Sequence, residues 1–181
     1  GGTVTGKHIA SVTAPMFKKI SLELGGKNPN IIFADANFDK ALKMAVKAAF
    51  SNQGQICLCG SRLFVQKEIY ADFKQALLDK VSQLTVGDPK KESSNLGAVV
   101  SKAHMNKILG KIEEGKKLGG KILTGGNRVI LEGNLKNGYY IEPTVIESLP
   151  FDCSINQEEI FGPVVSLIPF ESEEELSLIH I

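Results

Sequence analysis

The residue with the clearest chemical potential is Cys57, set in Asn52-Gln53-Gly54-Gln55-Ile56-Cys57-Leu58-Cys59-Gly60-Ser61-Arg62. This segment lies between a helical pattern that ends near Phe50 and a strand pattern that begins at Leu63. Loops at such junctions present reactive side chains on a rigid frame. A free thiol with a pKa near ~8.5 is only a few per cent thiolate at neutral pH, so a nucleophile there needs local activation. The competing reading makes Cys57 and Cys59 two small buried hydrophobes. Two thiols at i and i+2 without a nearby histidine do not make a zinc site, so no metal is expected.

Two acidic segments add to this. In Leu22-Glu23-Leu24-Gly25-Gly26-Lys27 a lone carboxylate is flanked by leucines. A carboxylate partly buried between apolar neighbours holds its proton more tightly than in water, which suits a general base. The alternative is a surface glutamate before a turn. The glycine pair points to a close backbone approach or a positive φ. In Glu158-Glu159-Ile160-Phe161-Gly162-Pro163 an acid could bind a sugar hydroxyl while the aromatic packs on a flat ring; otherwise the segment is a turn entering a strand. Gly1 through Lys7 fits the phosphate-cradling G-x-x-x-x-G-K pattern, but His8 stands where a hydroxyl must bind magnesium. A nucleoside triphosphatase is set aside on that ground.

These residues need a frame, and the periodicity supplies one. Ile31-Ile32-Phe33 reads as a buried strand. Asn37 caps a helix through Phe50, with Asp39 in its first turn and Phe38, Leu42, Ala45, Ala49 and Phe50 on one face. Leu63-Phe64-Val65 reads as a second strand. Tyr70, Phe73, Leu77, Val81 and Leu84 recur at helical spacing, and Val86-Gly87-Asp88-Pro89 ends that helix. Ser101 caps another, carrying Met105, Ile108, Leu109 and Ile112 and ending at Gly119-Gly120. Shorter strands are predicted at 121–124, 139–147 and 163–170, and 125–138 reads as a surface loop. Residues 6–19 carry no motif of their own. Interleaved strands and helices predict a layered α/β fold with a mostly parallel sheet.

Composition bounds the function. At 181 residues the chain is a little over one domain on a prior of roughly 150. With 43% hydrophobic and 23% charged residues it can bury a core, which excludes disorder. A net charge of +1 supplies no field for nucleic acid or an anionic membrane, and no apolar run approaches the ~18 residues of a spanning helix. Three cysteines without framework spacing predict a reducing, cytoplasmic setting.

Taken in order, Gly1-Gly2-Thr3, Glu23-Leu24-Gly25-Gly26-Lys27, Gly54-Gln55-Ile56-Cys57 and Glu159-Ile160-Phe161-Gly162-Pro163 resemble the NAD(P)-dependent aldehyde dehydrogenase superfamily. Lys18 to Glu23, Asn52 to Cys59 and Ser61 to Lys67 resemble its branch containing 2-aminomuconic semialdehyde dehydrogenase. The resemblance runs from residue 1 to about Glu175. It implies a three-layer α/β catalytic domain acting on a small-molecule aldehyde, with NAD as cofactor, NADP remaining open, and a homo-oligomeric parent. Cys57 would be the nucleophile that passes through a thiohemiacetal and a thioester, and its amide would be one oxyanion donor. Glu23 would be the base for deacylation. Gly1, Gly2, Leu24, Glu159 and Phe161 would hold the cofactor, Glu159 at the nicotinamide ribose and Phe161 beside the nicotinamide. Gly2 replaces the commoner serine, which removes one hydroxyl contact to phosphate. A non-catalytic relative with the same fold is the alternative, disfavoured by the joint presence of Cys57, Glu23 and Glu159.

The same resemblance divides the chain. Residues 1–24 would be the last piece of the dinucleotide-binding domain and 25–175 a C-terminally truncated catalytic domain. The tail 176–181 reads as non-native, of sequencing-adapter origin. The side-chain amide that completes the oxyanion hole would lie upstream, so the chain by itself is expected to be inactive.

Overall fold

The computed structural model describes residues 1–180, with side chains through Ser177. Helix α1 (Thr3–Thr13) runs into a short 3-10 turn at Ala14–Met16, and an extended stretch then leads to β1 (Pro29–Ile32). Helix α2 (Phe38–Phe50) begins where Asn37 Oδ1 accepts the Lys40 amide at 3.0 Å, with Asp39 in its first turn and Lys47 in its last. Both charges complement the helix dipole. β2 (Arg62–Gln66) passes directly into α3 (Lys67–Ser82), and α4 (Lys102–Lys117) starts where Ser101 Oγ accepts the His104 amide at 3.2 Å. There follow β3 (Lys121–Thr124), β4 (Arg128–Val129), β5 (Tyr140–Ile141), β6 (Thr144–Glu147), α5 (Ser154–Gln157), β7 (Val164–Phe170) and α6 (Glu173–His180).

The main sheet has the order β1-β2-β7-β6-β3, with β1, β2, β7 and β6 parallel and β3 antiparallel at one edge. Alternation along the strands sends their two faces to different cores. Leu63, Val65, Val145, Val165 and Leu167 face Leu42, Ala45 and Phe50 of α2 and Phe73, Leu77 and Val81 of α3. On the other face Ile146 and Val164 pack with Met105, Ile108 and Ile112 of α4, together with Ile155 and Ile160. The result is the expected three-layer α/β fold with a mostly parallel sheet. No helix among the described residues is long and apolar enough to cross a membrane.

Some predicted elements differ. The expected strand 139–147 is two strands in different sheets: β5 pairs with β4, and β6 pairs with β7 and β3. Pro143 lies between them and has no amide to continue a ladder. The expected loop 125–138 therefore contains one strand of a small ribbon. Helix α1 falls where no motif is visible. Leu176 of α6 packs with Phe64 and Phe170, and the reading of 176–181 as a non-native tail stands as a proposal. Ile181 and the side chains of 178–180 lie outside the described residues.

Candidate active site

The chain leaves α2 through three successive left-handed residues, Asn52 (φ 50°), Gln53 (φ 57°) and Gly54 (φ 69°). Each non-glycine residue there costs of order 1–2 kcal/mol. Side-chain bonds offset that strain. Asn52 Nδ2 donates to the Gln55 carbonyl at 3.0 Å and Gln53 Nε2 to the Ala98 carbonyl at 3.4 Å, while Gln55 Oε1 accepts the Val100 amide at 3.1 Å. Position 54 admits only glycine, because a Cβ would stand 2.1 Å from the Gly162 carbonyl oxygen.

A second turn presents the thiol. The Cys59 amide donates to the Ile56 carbonyl at 3.0 Å, which turns that carbonyl inward. In a trans peptide the N–H points the opposite way, so the Cys57 amide faces out of the turn, and it has no acceptor among the described residues. Asn28, just before β1, donates its side-chain amide to the carbonyls of Cys57 (2.7 Å) and Cys59 (3.3 Å). The segment carrying Glu23 and the segment carrying Cys57 are thus tied together at Asn28, a residue the motifs do not point to.

The two neighbouring cysteines have opposite environments. Cys57 is exposed. Cys59 is buried, its Sγ donates to the Ala49 carbonyl at 3.2 Å, and burial pushes its thiol up to about 11. Only Cys59 fits the buried-hydrophobe reading. Cys153 is buried as well, and all three thiols are free.

Cys57, Glu159, Phe161, Gly1 and Gly2 line one cleft of about 680 Å³, together with Gly25, Gln55, Ile56, His104 and Lys107. Gly25 lies so close under Glu159 that a Cβ there would stand 1.9 Å from a carboxylate oxygen. This contact places the glycine pair of one motif against the acid of another. Phe161 is left-handed (φ 58°), and His104 Nε2 lies 2.6 Å from its carbonyl oxygen. Glu23 and Leu24 are not in the lining. The Glu23 carbonyl accepts the Gly1 amino group at 2.8 Å, which sets it next to a residue of the lining. Its side chain is exposed rather than partly buried, because the flanking Leu22 is itself exposed and shields nothing.

Lys27 is a residue whose type alone gave no signal. Its Nζ is buried with no hydrogen-bond partner among the described residues, and its carbonyl accepts from Arg62 at 2.7 Å. Its pKa is lowered from 10.5 to about 8, chiefly by burial and with a smaller push from the Arg62 charge, against the opposing pull of Cys59, Cys153 and Glu159. Between those values the unfolded chain binds the proton and the folded chain does not. Stability therefore rises with pH across that window, and the cost is fully present below about 8. Lys27→Met is expected to raise stability at neutral pH by up to ~3 kcal/mol and to abolish the rise. Urea unfolding at neutral and alkaline pH measures both effects; a variant no more stable than the parent at neutral pH would contradict the burial cost.

An exposed cysteine, an acid and an aromatic thus share one glycine-lined cleft of a layered α/β domain. The aldehyde dehydrogenase family profile matches residues 1–180, and the chain belongs to that family. It is 43% identical over 177 residues to 4-trimethylaminobutyraldehyde dehydrogenase A of Danio rerio, covering 97% of this chain and 35% of that protein. It is 43% identical over 178 residues to 2-aminomuconic semialdehyde dehydrogenase of Mus musculus, covering 97% and 37%. The crystal structure of betaine aldehyde dehydrogenase from Staphylococcus aureus in complex with NAD+ superposes with a TM-score of 0.93 at 42% identity, over 99% of this chain and 35% of that one. The chain thus spans about a third of the length of these relatives.

Proposed function

We propose that the complete protein carrying this chain oxidises a small aldehyde to its carboxylic acid, with Cys57 as nucleophile and NAD+ as hydride acceptor. The observation that carries this reading is the convergence of exposed Cys57, Glu159 and Phe161 on one glycine-lined cleft. The cleft suits a dinucleotide's nicotinamide end: Gly1 and Gly2 leave room for close backbone approach, Gly25 lets the Glu159 carboxylate lie against it, and Leu24 lies beside Gly1. Glu159 would accept hydrogen bonds from the ribose hydroxyls, and Phe161 would pack beside the ring. NAD+ is favoured over NADP+ by the NAD+ complex of the Staphylococcus aureus relative. Its chemical contribution is to accept the hydride.

The protein groups supply the rest. The Cys57 thiolate attacks the aldehyde carbon, and the outward Cys57 amide donates to the developing oxyanion. Loss of hydride from that thiohemiacetal leaves a thioester on Cys57. Glu23 then removes a proton from water, the hydroxide oxygen bonds to the acyl carbon, and the thiolate departs with the carboxylate as product. Residues 1–24 would be the last piece of the dinucleotide-binding domain and 25–175 the catalytic domain, whose Glu159 and Phe161 reach the cofactor. The 181-residue chain by itself is expected to be inactive, since it spans about a third of its relatives and a single oxyanion donor lost typically costs ~2.7–4 kcal/mol.

Assay of the complete protein against a panel of aldehydes with NAD+ and NADP+ tests this. Carboxylate should appear in step with reduced cofactor; a folded protein that reduces neither cofactor with any aldehyde overturns the reading. Gly25→Ala gives a sharper check. Its Cβ must displace the Glu159 carboxylate, so KM for NAD+ should rise about tenfold or more while alkylation of Cys57 by iodoacetamide is unchanged. An unchanged KM would remove Glu159 from the cofactor site.

A further inference from the structure

His104 stands in the first turn of α4, and its Nε2 lies 2.6 Å from the carbonyl oxygen of Phe161. The two rings meet edge-on, with centroids 6.0 Å apart and planes at 63°, and both residues line the cleft that holds Cys57 and Glu159. A carbonyl oxygen only accepts, so Nε2 must carry the hydrogen. The neutral Nε2–H tautomer and the imidazolium both meet that requirement. The neutral Nδ1–H tautomer is the form the contact excludes.

Phe161 has need of such a tether. Its φ of 58° is a conformation that a bulky side chain rarely adopts unaided. The next residue, Gly162, is wedged on both sides. A Cβ there would meet Ile108 Cδ1 of α4 at 2.6 Å, and its carbonyl oxygen abuts Gly54 in the turn that leads to Cys57. The start of α4 thus touches Phe161 through His104 and Gly162 through Ile108. The loop bearing the aromatic is registered by α4 against the loop bearing the thiol.

We propose that His104 is a positioning residue: its Nε2–H bond to the Phe161 carbonyl holds Phe161 left-handed and so fixes the aromatic wall of the cofactor end of the cleft relative to Cys57. The role in turnover rests on the dehydrogenase reading above, whereas the tether itself does not. His104 acts through Phe161 and takes no part in bond making.

Two measurements test this. In the 181-residue chain, a long-range proton–nitrogen correlation spectrum reads the tautomer of each imidazole. With three histidines in the sequence, loss of one signal set in His104→Gln assigns the peak. Where the ring carries a single proton, that proton should reside on Nε2 of His104; residence on Nδ1 overturns the tether. In the complete protein, His104→Ala should raise KM for NAD+ about tenfold, the effect of losing one well-placed hydrogen bond. The rate of Cys57 alkylation by iodoacetamide should stay within about twofold, and His104→Gln, which restores a donor of similar reach, should recover most of the KM. An unchanged KM in His104→Ala overturns the positioning role. So does a His104→Gln variant as impaired as His104→Ala with Cys57 alkylation slowed in both, which would mark a merely structural residue. If the complete protein reduces neither cofactor with any aldehyde, the dehydrogenase reading falls, and the tautomer still decides the tether.

Discussion

Replacement of Cys57 by alanine in the complete protein is expected to lower aldehyde oxidation by a factor on the order of 10⁴ or more, as loss of a covalent nucleophile does elsewhere. No other thiol in the chain can take over. Cys59 is two residues away, yet it is buried, its Sγ is committed to the Ala49 carbonyl, and its thiol is pushed up to about 11, so it stays protonated at neutral pH. Cys153 is buried in the core under α4. Of the three cysteines in these 181 residues, iodoacetamide should accordingly label Cys57 alone, and neither of the others at a comparable rate in Cys57→Ala. Turnover that persists in the variant, or alkylation that moves to Cys59, would contradict the assignment. Because Cys57 is exposed, the substitution is expected to change stability by less than ~0.5 kcal/mol, so lost activity would not reflect unfolding.

Glu23→Gln is expected to separate the two halves of the reaction. The amide has the same shape as the carboxylate but cannot take a proton from water, so acylation proceeds and hydrolysis of the thioester slows on the order of 10²–10⁴-fold. Stopped-flow observation should show a burst of reduced cofactor close to one equivalent per site, followed by a slow steady state. The substitution leaves the backbone unchanged, and an exposed side chain at this position contributes little packing. Uniformly slow chemistry without a burst would place Glu23 in the first half-reaction or outside the chemistry altogether.

How much of this was legible in the sequence depended on the range of the interactions involved. Helices α2 and α4 could be placed to their first residue because Asn37 and Ser101 cap them locally and their apolar residues repeat at helical spacing. Helix α1 could not. Its Val4, Ile9 and Val12 are exposed and only Gly6 is buried, so no stripe marks it. The break between β5 and β6 depends on which partner strand each side finds, and Pro143 is a visible sign of it only in hindsight.

The site divides in the same way. Cys57, Glu159 and Phe161 stand in segments whose local composition already suggests chemistry, and the structure brings them to one cleft. Asn28 and His104 do not. Asn28 acts on Cys57 across 29 positions and His104 on Phe161 across 57, and only the folded chain makes those pairs neighbours. The expectation that leucine neighbours would bury Glu23 failed for a related reason. Leu22 is exposed, so adjacency in sequence did not become enclosure in space. Lys27, inside the same motif, is the residue whose charged end is buried.

The central claim is that an acyl group passes through Cys57, and trapping that intermediate tests it most directly. The complete protein is mixed with an aldehyde substrate and NAD+, quenched in acid within the burst, digested and mapped by mass spectrometry, with Glu23→Gln used to let the intermediate accumulate. The peptide containing Cys57 should carry the mass of the acyl group, and the adduct should be absent when NAD+ is omitted. Reduced cofactor formed with no acyl adduct on Cys57, or with the acyl group on another residue, would contradict it.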